Sequence, residues 1–103
     1  MFEQIYSDTW HNVSELRVRL THDLSYTKQW YRGEKWYVLE DRYGSRFFRV
    51  MPETFNFLMR LVPEKTVGEV WEQALLEDPE TTPTQEEVVR LLSQLSLFNL
   101  LYV

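Results

Sequence analysis

The residues of this 103-residue chain that are capable of acid–base or metal chemistry are scattered rather than clustered. Its two histidines, His11 and His22, lack the i, i+4 spacing of a helical zinc pair, and no HExxH sequence occurs. His11 and Glu15 do have that spacing, yet two ligands without a third do not make a zinc site. Cysteine is absent, which removes thiol catalysis, disulfides and cysteine-ligated zinc. The acidic pairs Glu40-Asp41, Glu77-Asp78 and Glu86-Glu87 fall at turns or helix ends, where carboxylates are solvated. Glu86 and Glu87 in addition suit the positive end of a helix dipole. Gly33, Gly44 and Gly68 are isolated, so they form no phosphate-binding loop, and the first two suit turns. No catalytic group, metal or cofactor is expected, and the functional reading turns to binding.

A hydrophobic content of 44% over this length allows one domain with a modest core. Without cysteine the default address is the cytoplasm. The opening MFEQIYSDTWHNVSELRVRL lacks the basic start and unbroken apolar core of a signal peptide. Nowhere does the chain reach the run of about 18 apolar residues that would span a bilayer. Direct membrane insertion of this segment is therefore not expected. A net charge of −5 also disfavours nucleic acid as a partner, because phosphate backbones are bound chiefly through lysine and arginine.

The elements follow from periodicity. Aromatic and β-branched runs at residues 35–40 and 45–50, separated by Asp41-Arg42-Tyr43-Gly44, predict a hairpin. An earlier run at 24–31, set off by Arg32-Gly33-Glu34, predicts a preceding strand in an antiparallel meander. Aromatic residues make up 16% of the chain and concentrate here, as Tyr26, Trp30, Tyr31, Trp36, Tyr37, Tyr43, Phe47 and Phe48. Their first role is to fill the core of a thin sheet. Because side chains alternate across a strand, Trp30-Tyr31, Trp36-Tyr37 and Phe47-Phe48 each put one ring on either face. The second face is left to be covered by the amino-terminal arm, through Trp10 and Leu16, or by a partner.

Three helices should follow the sheet. Pro52 opens the first, with Phe55, Leu58, Met59 and Val62 as its apolar stripe and an end before Pro63. Thr66 and Glu69 form a capping box for the second, whose stripe is Val67, Val70, Trp71, Ala74 and Leu75 and whose end lies near Asp78-Pro79. Thr84 and Glu87 repeat the box ahead of Val88, Leu91, Leu92 and Leu95. Val89, Arg90 and Ser93 lie off that last stripe. The fold class is α+β, a three-stranded antiparallel sheet followed by three helices, with residues 1–23 as an arm and 24–103 as the domain. The apolar ending LFNLLYV suits a closing strand packed on the third helix, or a parent chain that continues.

WHNVSELRVRL at residues 10–20, YRGEKWYVLEDRYGSRFFRV at 31–50, PETFNFLM at 52–59, TVGEVWEQAL at 66–75 and PTQEEVVRLLSQL at 83–95 together resemble the PqqD-like domains. These are winged-helix-type recognition elements for ribosomally made, post-translationally modified peptides. Within that group the chain is most similar to the amino-terminal domain fused ahead of site-2-protease-like membrane zinc peptidases. Met51 stands where the family usually has a polar cap before the first-helix proline. The resemblance implies a non-catalytic module whose third strand accepts an extended leader or substrate peptide as a further strand, beside a groove on the third helix. Carried onto this sequence, the peptide-binding residues are Ser45, Arg46, Phe47, Phe48 and Arg49 on the strand and Val89, Arg90 and Ser93 on the helix. The arginines would pair with acidic residues of the peptide, or serve as solvated edge residues that discourage aggregation. Which of Phe47 and Phe48 faces the groove depends on register.

The implied partner is a peptide or protein substrate, with a downstream membrane peptidase domain in a parent chain. Such a parent would tether this cytoplasmic segment to the inner membrane, and its zinc site would lie beyond Val103. The alternative is intramolecular docking, or a homodimer through the third-strand edge. A winged-helix DNA binder is a third reading, opposed by a last helix that begins Gln85-Glu86-Glu87 and offers Arg90 as its sole cation.

Overall fold

The structure, a computed structural model, describes residues 9–21, 24–41 and 46–103. Its main sheet comprises β2 (Leu24–Tyr31), β3 (Glu34–Asp41) and β4 (Phe47–Val50) in the order β2-β3-β4, antiparallel throughout. These are the three aromatic-rich runs. Arg32 and Gly33 join the first two, both at positive φ, as the type I′ turn of a tight hairpin requires. Glu34, expected in the turn, instead pairs with Tyr31 at the start of β3.

Register sets Tyr37, Leu39, Phe48 and Val50 toward the helices, while Trp36, Val38, Phe47 and Arg49 lie on the opposite face. Leu39 is fully buried. The inner face rests on α2 (Pro52–Arg60), where the Tyr37 ring stacks on Phe55 at 3.8 Å with 3° between planes. Tyr26 approaches the same ring at 4.7 Å. Phe57, absent from the expected stripe, is buried with Phe55 and Leu58, whereas Met59 and Val62 are exposed. Only one arc of α2 meets the sheet and the following helix, and Phe57 lies on it.

Both capping boxes form. Thr66 and Glu69 cap α3 (Val67–Glu77), and Thr84 and Glu87 cap α4 (Gln85–Leu97), each satisfying amide donors that a helix start leaves unpaired. The α3 stripe is buried as Val67, Val70, Trp71 and Ala74, and the α4 stripe as Val88, Leu91, Leu92 and Leu95. Trp71 Nε1 donates to the Pro83 carbonyl at 2.9 Å, fixing the α3–α4 connection.

Periodicity did not reveal the ordered part of the amino-terminal segment. It forms a short α1 (His11–Ser14) and β1 (Arg19–Leu20), which pairs antiparallel with the closing strand β5 (Leu101–Tyr102). Both strands are two residues long, too short for a repeating pattern. Trp10 packs on Trp71 at 5.5 Å, the Val67 N–H donates to the Leu16 carbonyl at 2.8 Å, and Val18 is buried in the core. The segment therefore packs on the helical side and leaves the outer face of the sheet uncovered by Trp10 or Leu16. Gly68 permits this approach, since a Cβ there would meet the Ser14 carbonyl oxygen at 3.0 Å.

Leu100, buried between the β1–β5 ribbon and α4, belongs to the same core. Leu100→Ala is expected to cost about 2–5 kcal/mol in urea unfolding; a cost near zero would mean that the ribbon packs loosely.

Two carboxylates give the fold a pH signature. The Glu69 carboxyl is held below its ordinary value of 4.5 by the Thr66 backbone N–H and then by the Thr66 side chain. The Glu77 carboxyl is held below its ordinary value of 4.5 by the Arg60 guanidinium and then by Gln73. A lowered value in the folded state contributes stability that is complete above the unfolded value and is lost as pH falls through the lowered one. Urea midpoints should fall on acidification below the ordinary value of 4.5, and should fall less steeply in an E69Q/E77Q double variant.

Candidate functional site

Strand β4 is an edge strand, and its hydrogen-bond parity can be read from one contact. The Asp41 N–H donates to the Arg46 carbonyl at 3.1 Å, which makes residues 41 and 46 a bonded pair. Antiparallel pairs alternate, so Phe48 with Leu39 and Val50 with Tyr37 are also bonded pairs. Phe47 and Arg49 consequently turn their N–H and C=O groups away from β3. Among the described residues no backbone group of residues 47–50 bonds to any element other than β3. With respect to the described residues, the edge is open to an added strand.

Register also separates the two phenylalanines. Phe48 points to the helices and meets the Phe98 ring edge-on at 5.6 Å, while Phe47 is 70% exposed on the outer face. The arginines divide as well. Arg46 donates from Nη1 to the Leu97 carbonyl at 3.4 Å and lies over the Phe98 ring, tying the start of β4 to the end of α4. Arg49 is exposed and stacks over Tyr31 at 5.3 Å and Trp36 at 5.7 Å. Among the described residues the Trp36 indole N–H is buried without an acceptor.

A cavity of about 210 Å³ lies between β4 and the helices. Trp36, Arg49, Val50 and Met51 line it from the strand side, and Thr54, Glu87, Arg90, Leu91 and Gln94 from the helices. Arg90 pairs with Glu86 at 3.2 Å, and the Glu87 carboxylate accepts from Thr84 within the capping box. Of the sequence-selected residues, the structure brings Arg49 and Arg90 to one cavity. Ser93 instead lines a separate apolar hollow with Leu16, Leu92 and Leu101, and half-buried Val89 lines neither. Ser45 lies outside the described residues. Leu91 and Gln94 were not selected, although Gln94 stands four residues from Arg90 on the same helix face and Leu91 three from Gln94.

Exposed His11 stands at the start of α1 with exposed Glu15 at its end, and His22 lies outside the described residues. Among the described residues no three His, Asp or Glu side chains gather where they could hold a metal ion. No helix among them is long and apolar enough to cross a membrane. Comparison with known proteins finds no matching family model, no matching curated protein and no matching solved structure.

The parity of β4 predicts a pattern in native-state hydrogen exchange. The amides of Phe48 and Val50 should exchange more slowly than those of Phe47 and Arg49. Equal protection at all four positions would show that the outer edge is covered in solution.

Proposed function

We propose that this chain is a peptide-recognition domain that captures an extended segment as a fourth strand on the free edge of β4. The observation that carries this reading is the outward set of N–H and C=O groups on Phe47 and Arg49, bordered by a cavity that α4 lines on its far side. Unpaired main-chain groups accept almost any extended backbone, and adjoining pockets supply selectivity. Ligand side chains opposite Phe48 would point toward the helices, and those opposite Phe47 and Arg49 toward the outer face. The PqqD-like resemblance fits the same role, with a leader or substrate peptide as ligand and a membrane zinc peptidase as the parent chain. In that setting the segment works on the cytoplasmic side, tethered through its parent.

Proline at position 47 tests the edge selectively, because the missing N–H is one that β3 does not use. In an amide-resolved titration with peptides from candidate substrates encoded near the gene, shifts should concentrate at residues 46–50 and at Arg90, Leu91 and Gln94. Phe47→Pro should weaken binding roughly two- to tenfold beyond Phe47→Ala, the equivalent of one main-chain hydrogen bond. Equal binding by the two variants would exclude strand addition. Edge shifts that grow with protein concentration in the absence of peptide would replace it with homodimerisation.

A further inference from the structure

Strand addition leaves unused a group of side chains on the outer face of the sheet. The Arg49 guanidinium lies over both Tyr31 and Trp36, and Arg32 lies over the Tyr31 ring at 5.3 Å. These four residues and Glu34 line an open hollow of about 560 Å³. A guanidinium held over an aromatic face by the ring quadrupole keeps N–H donors available. Among the described residues neither Arg32 nor Arg49 has a carboxylate partner, and Glu34 does not come within ion-pair reach of either.

The turn adds a second observation. Arg32 adopts φ 52°, in a hairpin position that favours Asn, Asp or Gly. A side chain with a Cβ is strained there, and such departures cluster where a surface binds something.

We propose that the platform of Tyr31 and Trp36 holds Arg49 to read a carboxylate on the added strand, making the ligand an acidic extended peptide. This rests on the strand-addition reading. The ligand residue opposite Arg49 projects to the same face as Arg49, and a carboxylate there meets the guanidinium when the arginine turns from the rings toward the added strand. Arg–carboxylate contacts of this kind are charge-assisted and can be bidentate. The next ligand residue on that face stands opposite Phe47, where an apolar side chain fits. The preferred ligand thus has an acidic residue and an apolar residue separated by one position.

The test is selection of displayed random short peptides on the wild-type domain and on Arg49→Gln. Wild-type selections should be enriched in Asp or Glu, one position removed from an apolar residue. Arg49→Gln selections should retain the apolar residue and lose the acidic one. A Glu→Gln change in a wild-type-selected peptide should weaken binding to the wild type about two- to fivefold and leave binding to Arg49→Gln unchanged. Amide shifts at positions 47 and 49 report strand addition separately in both proteins. Peptides that shift those amides without an acidic preference, or that lose equally on both proteins, overturn the platform and leave strand addition standing. Selected peptides that shift neither amide overturn both.

Discussion

Strand β3 is bonded on both sides, and because antiparallel pairing alternates, its even-numbered residues exchange hydrogen bonds with β2 and its odd-numbered residues with β4. The same alternation sends Tyr37 and Leu39 into the core and Trp36 and Val38 to the other face. Everything distinctive about the edge follows from it. Phe47 and Arg49 expose both their backbone groups and their side chains away from the core, whereas Phe48 and Val50 commit both to it. A slip of one residue would bury Arg49 and Phe47 against the helices, so the apolar face itself enforces the register.

The helices hold this sheet from one side through a few aromatic contacts. The Tyr37–Phe55 stack fixes α2 beneath β3, and the Phe48–Phe98 contact, with Arg46 on the Leu97 carbonyl, fixes the end of α4 near the start of β4. Trp71 joins two further parts, since it packs on Trp10 and donates to Pro83. Arg46, just before β4, and Arg49, within it, thereby make different contacts. One ties the start of β4 to the end of α4, and the other lies over two rings of the outer face.

Much of the fold was legible in the sequence because its signals are local. The run at 24–31 matches β2, Pro52 marks the start of α2, and the threonine-to-glutamate boxes at Thr66 and Thr84 mark α3 and α4 to the residue. What could not be read depends on contacts distant in sequence. The β1–β5 ribbon joins residues at opposite ends of the chain, and α1 is ordered by Trp71 and the Gly68 approach rather than by its own four residues. At the site, the strand residues could be selected from sequence, but their faces could not until register was known. On α4 the residues off the core stripe were split between two flanks, and only the strand position shows that Arg90 and Gln94 lie on the β4 side, beside Leu91 of the core stripe.

Shortness is the remaining property of β4. Four residues with two outward-facing positions offer few main-chain bonds to an incoming segment, and Arg46 closes the neighbourhood at one end. An extended ligand held at two rungs is released by breaking little, so differences among ligands fall mainly on how long each one stays rather than on how fast it arrives. In the proposed peptide-recognition role, such an edge favours brief, repeated visits over storage.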